Sequence, residues 1–117
     1  MHSNVSLAAK LGQWASTHDL HVKAAVRMLI EQDVFLRREA FVEAAVKTAS
    51  DGGAYIVFRD ARKAFDDGAF DVASSTELAL LDLIIAVGEN RYRLSYMGPA
   101  TAQLVIDLFR DALSGPR

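Results

Sequence analysis

The sequence contains no cysteine, which removes disulfide frameworks, thiolate nucleophiles and cysteine metal sites together. Proline is almost as scarce. The two present, Pro99 and Pro116, sit at boundaries between patterned segments, and no Pro/Gly-rich tract, low-complexity run or internal repeat marks a linker. The 117 residues therefore read as one helical domain, 1–117, long enough to bury roughly two-thirds of its unfolded surface without a metal or a cross-link. An excess of one charge is missing too. Thirteen Lys and Arg against fifteen Asp and Glu leave a formal charge of -2, so no global basic field draws the chain onto nucleic acid, and any such role needs a local patch.

Long hydrophobic runs are also lacking. The longest, residues 78–87, is interrupted by Asp82 and is about half of the roughly 20 residues that span a bilayer, so no membrane span is expected. The opening stretch "MHSNVSLAAKLGQW" has Lys10 inside it and neither a charged n-region nor a continuous apolar one, which predicts a cytoplasmic location. What is present is the composition of a folding chain, 51% hydrophobic and 24% charged.

Helical periodicity dominates. Residues 5–16 carry Leu7, Leu11 and Trp14 at i, i+4, i+7, weakened by Gly12. In 20–32, which Asp19 can cap, Val22, Ala25, Val26, Leu29 and Ile30 form one stripe opposite Lys23, Arg27 and Glu31. A third helix over 37–49 would bury Phe41, Val42, Ala45 and Val46 and place Glu43 and Lys47 as an i, i+4 pair. "SDGG" ends it. Residues 54–57 read as a short extended piece and 58–66 as a helix with Phe58, Ala61 and Phe65 on one face and Gly68 as C-cap. The alternation in "RYRLSY", 91–96, reads as a second strand, and Pro99 opens a last helix over 99–113.

The segment "TELALLDLIIAVGEN" is the most marked. Ser74 with Glu77 has the form of a capping box, and Gly88 follows the last apolar residue as a C-cap. Its apolar residues fill an arc of about 220°, wider than one packing partner covers. The helix is either central to a bundle or shared with another subunit. Asp82 falls on the narrow remaining edge, either solvated, paired with Arg91 or Arg93, or acting as a functional acid. The expected fold is mainly α: about five helices around this central helix, about 75–87, with at most a two-stranded β element at about 54–57 and 91–96.

Chemistry-bearing constellations are weak. "HDLH" places His18 and His21 at i, i+3, but no third ligand is identifiable and His2 is remote from them. Ser74, Ser75 and Ser95 lack a nucleophile elbow, "SDGGA" is not a phosphate loop, and a turn explains Asp66 and Asp67 before Gly68. The basic residues are more informative. Arg37 and Arg38 open one helix, and Arg59, Arg62 and Lys63 lie on the next; converging, they could bind phosphate, and apart, each belongs to a solvated face balanced by nearby carboxylates.

The stretches "AAVRMLIEQDVFLRREAFVEAAV", "DARKAFDDGAF" and "SSTELALLDLIIAVG" together resemble a group of short uncharacterised actinobacterial proteins. That group shows a pattern like AVxLLIxHxxWLRRxxFV, a short extended piece, an L-x-x-G turn and a serine-capped LLxLAxSLAG helix. The resemblance covers about residues 24–113; Phe35 stands in place of Trp, Gln32 in place of His, and the segment after Gly88 departs from the pattern. It implies a single small helical domain of bacterial origin and no mechanism.

Two function classes remain. In the first, the chain is a non-enzymatic protein–protein interaction or regulatory module without cofactor or metal. It would self-associate as a homodimer through Leu80, Leu83, Val87, Tyr92 and Tyr96, where an uncovered part of the apolar arc meets aromatic groups. In the second, residues 20–32, 37–49 and 58–66 form a helix-turn-helix-like trio with 91–96 as a wing, and Arg37, Arg38, Arg59, Arg62 and Lys63 contact DNA phosphates. The net charge favours the first, as does the segment 48–57, which is longer than the turn of 3 or 4 residues such a trio uses. An enzyme has the least support.

Overall fold

The computed structural model describes residues 6–114; His2, Val5 and Pro116 lie outside them. Six α-helices and one β-hairpin make up the described residues. Helix α1 (Leu7–Ala15) begins where the Ser6 hydroxyl accepts the Ala9 N–H at 3.1 Å, and it buries Leu11 and Ala15. Leu7 and Trp14 pack at the margin of the core, so the expected face is the observed one. Helix α2 (Leu20–Gln32) buries Ala25, Val26 and Leu29 and leaves Lys23, Arg27 and Glu31 in solvent, as a period of 3.6 requires. Asp19 occupies its N-cap without a side-chain cap bond.

The chain then departs from expectation. After a 3-10 turn at Phe35–Arg37, helix α3 spans only Glu39–Ala45. Residues expected to continue it form strand β1 (Val46–Thr48), antiparallel to β2 (Ala54–Ile56), with Val46 opposite Ile56 and Thr48 opposite Ala54. Val46 and Thr48 are β-branched, and pairing with the buried Ala54 and Ile56 outweighs the helical spacing that Val42, Ala45 and Val46 also satisfy. Gly52, at φ 87°, closes the hairpin in a conformation other residues rarely adopt. Lys47 consequently lies 3.8 Å from Asp60 rather than one helical turn from Glu43.

The second expected strand is also corrected. Residues 91–96 are a turn followed by a 3-10 turn at Leu94–Tyr96, because Asn90 and Arg93 take left-handed φ values of 60° and 50°, which an extended strand excludes. The partner of β2 is β1.

Helix α4 (Phe58–Asp66) buries Phe58 and Ala61, and Gly68 at φ 84° ends it, with the Ala69 N–H on Ala64 O at 3.0 Å and the Gly68 N–H on Phe65 O at 3.1 Å. Helix α5 (Ser75–Gly88) begins with the anticipated capping box: the Glu77 N–H donates to Ser74 Oγ at 3.1 Å and the Ser74 N–H to Glu77 Oε1 at 3.0 Å. Leu81, Ile84 and Ile85 are buried, with α2 packed on one part of the helix and α4 on another. They meet the Phe35, Phe41 and Phe70 cluster, whose rings stand 5.6–6.2 Å apart. The helix is central, as its apolar arc implied.

Gly88 is not the left-handed cap. Asn90 is: around it the Arg91 N–H donates to Ala86 O at 3.0 Å and the Asn90 N–H to Val87 O at 2.9 Å. Gly88 is instead the last buried helical residue, and a Cβ there would run into the Phe58 ring. The His21 imidazole donates from Nδ1 to Gly88 O at 3.1 Å, giving this helix end a second tie to α2.

Helix α6 (Gly98–Ser114) has no buried residue, and among the described residues no element makes an extended contact with it. The molecule measures 51 × 33 × 23 Å. No helix of the described residues is long and apolar enough to cross a membrane.

Candidate functional site

The five basic side chains singled out from the sequence do not form an open cationic surface. Arg37 pairs with Asp33. Arg38 reaches both carboxylate oxygens of Glu77 at 3.3 Å and lies 5.4 Å over the Phe35 ring, joining the start of α5 to the 3-10 turn. Lys63 meets Asp67 at 3.1 Å, one turn along α4. Arg59 is exposed, and among the described residues no carboxylate lies within ion-pair distance of it.

Arg62 is the centre of the densest cluster. Its side chain is only 15% exposed and lies 2.8 Å from Asp82, 3.4 Å from Glu89 and 3.7 Å from Asp66, with a further bond of 3.3 Å to the Asp82 carbonyl. Burial opposes its charge, but the hydrogen bonds to Asp82 and Glu89 outweigh it and hold the guanidinium above the usual arginine pKa. Asp82 is thus half-exposed and paired, its partner being Arg62 on α4 rather than Arg91 or Arg93. This cluster locks α4 to α5. It offers no group that lacks a partner to a substrate.

The expected interface residues divide in two. Leu80 and Val87 pack in part against the core and Leu83 is half-covered, whereas Tyr92 is exposed and Tyr96 retains 82% of its surface in solvent. They do not form one open patch.

The largest uncovered apolar surface lies one element further on. Helix α6, "GPATAQLVIDLFRDALS", exposes Leu104 at 68%, Leu108 at 65% and Leu113 at 82%, together with Ile106 and Phe109. At 100° per residue, Leu104, Leu108, Ala112, Val105, Phe109, Ala102, Leu113 and Ile106 occupy an arc of about 200° without a charge. Gln103, Asp107 and Arg110 share the other side, where Asp107 accepts from Gln103 at 3.1 Å and from Arg110 at 3.3 Å. Read as one more core-packing helix, this segment hides its distinction. The same arc measurement that marked α5 marks α6, but only the tertiary structure tells which of the two is covered.

A further concavity separates α1 from the hairpin turn, an open cleft of about 530 Å³ that includes Lys10, Trp14, Asp51 and Tyr55. Three of the turn's donors are already engaged, Gly52 N–H with Ala49 O, Ala49 N–H with Gly53 O, and Gly53 N–H with Asp51 Oδ1, so they are not free to cradle a phosphate. Among the described residues no group of three or more His, Asp or Glu is placed to hold a metal. His18 bonds the Trp14 carbonyl at 2.8 Å and lies tilted against its ring, while His21 caps α5. No family model, curated protein or solved structure matches the chain.

Proposed function

We propose that the chain is a non-enzymatic protein-interaction module whose working surface is α6, with Tyr92 and Tyr96 at its approach. One observation carries this reading: a helix of 17 residues exposes five large apolar side chains and buries none of its residues. Helices in proteins owe most of their stability to a packed apolar face rather than to intrinsic propensity. Uncovered apolar patches of this kind mark interaction sites. The body of the molecule is, by contrast, closed around its own core, and its charged clusters are internally satisfied.

DNA binding through Arg37, Arg38, Arg59, Arg62 and Lys63 draws less support, because four of the five are held by carboxylates and residues 91–96 supply no wing. The interaction reading is tested by placing a photo-crosslinking amino acid at Leu108 of the full chain in cells. A light-dependent adduct is expected, and it should be absent when the probe replaces Glu31, exposed on α2. Equal labelling at both positions, or none at either, overturns the reading.

A further inference from the structure

The geometry points to a second copy of this chain as the partner of α6, joined to it as an antiparallel helix pair. The central seam of the arc is Ala102, Val105, Phe109 and Ala112, spaced 3, 4, 3 as helices packing side by side require. In an antiparallel pair about a two-fold axis, facing positions have a constant sum. Ala102 with Ala112 and Val105 with Phe109 both sum to 214, as the outer and inner pairs of any 3, 4, 3 seam do; what this sequence adds is that small residues meet at each end and a Val–Phe contact repeats on either side of the axis. On one flank Leu104 meets Leu108 of the other copy one step out of that register, at a sum of 212. An isologous interface needs this self-complementarity, which an unrelated partner does not demand.

Charge agrees with it, and area sets its strength. The seam and both flanks carry no charge, so two copies meet without opposing like charges, while Asp107, Arg110 and Asp111 stay on the outer side. A lipid surface fits less well, because membrane-surface helices carry Lys and Arg on their polar face, and here two aspartates outnumber one arginine. Outside α6 the exposed large residues Leu20, Met28 and Val72 are scattered over α2 and the turn before α5, and Tyr92, Leu94 and Tyr96 sit in the segment that leads into α6. A helix about 25 Å long and 10–12 Å across presents roughly 400 Å² on its apolar half. That is about half of a standard partner surface, which places the dimer among the weak, concentration-dependent associations.

This inference rests on the reading of α6 as the interaction surface, and the test separates the two. The chain's lack of cysteine allows single cysteines to report the pairing. Full-length Ala102→Cys and Ala112→Cys chains, oxidised in a mixture, are expected to form the mixed disulfide, with little covalent dimer from either alone. The mass by light scattering should rise from 12.8 kDa towards twice that value between low and several hundred micromolar, and Leu108→Glu should hold it at the monomer value. Because α6 buries no residue, that variant keeps its folded body, checked by an unchanged melting curve.

Covalent dimers of each variant with itself would mean parallel pairing and overturn the inference. So would a monomer at every concentration, or sedimentation with phosphatidylglycerol vesicles in place of self-association. A monomer that still gives the adduct at position 108 in cells overturns only the self-pairing. Loss of both overturns the interaction reading as well.

Discussion

Replacing Gly88 with alanine tests how the two central helices fit. The added methyl would stand 2.7 Å from Phe58 Cγ and closer still to Cδ1 and Cε1. Phe58 is buried at the first position of α4 and packs within the core. Overpacking of a closed core costs about 1–3 kcal/mol, and a rigid ring met face-on belongs near the upper end. Alanine returns up to about 1 kcal/mol through its better helix propensity. The net expectation is a loss of about 2 kcal/mol, or a fall in Tm of about 8 °C for a domain of this size. Urea and thermal unfolding of Gly88→Ala, Phe58→Leu and the double variant form a cycle in which the smaller side chain should recover much of the loss. If Gly88→Ala melts at or above the parent temperature, the Phe58 ring does not lie against Gly88. Strict additivity in the cycle would trace the cost to the backbone instead.

Leu81 is fully buried on α5, so Leu81→Ala should lower the unfolding free energy by about 2–5 kcal/mol, and a denaturant midpoint that hardly moves would remove it from the core. Arg62→Met leaves Asp66, Asp82 and Glu89 without their shared cation. The expected loss is about 1–2 kcal/mol, between surface and buried pairs, with a partial return at high salt as the freed carboxylates are screened; no change in the melt would mean that the cluster does not join α4 to α5. The Glu77 carboxyl is held below the usual range, chiefly by the Ser74 N–H, with Arg38 adding to it against opposing burial. A depressed folded pKa contributes stability above the unfolded value of about 4.3 and loses it as pH falls through the folded one. Glu77→Gln should therefore show a shallower loss of stability below about pH 4.3, and a parental slope would contradict this role.

What could be read in advance was whatever short-range chemistry decides. The Ser74–Glu77 box, the left-handed Gly68 after α4 and the buried stripe of α2 each depend on residues within one or two turns. The misreadings have distant causes. Val46 and Thr48 leave the helix because Ile56 and Ala54 offer them a strand to pair with. Gly88 stays inside the helix and the left-handed position falls to Asn90, because the Phe58 ring, thirty positions earlier in the chain, fills the space over Gly88. Arg62 was one of several basic residues until folding brought Asp82 and Glu89 to it. The candidate surface was legible as an apolar pattern and not as a site, since α5 and α6 both carry wide arcs and only packing covers one of them.

The most direct measurement is hydrogen exchange along the full chain as a function of its concentration. Amides of α2 and α5 should be equally protected at all concentrations, while those of α6 exchange rapidly when dilute and gain protection as the chain is concentrated, because only association covers that helix. Protection of α6 equal to that of α5 in dilute solution would contradict the account, since the helix would then pack on its own body. Rapid exchange of α6 at every concentration would deny it a partner among copies of the chain.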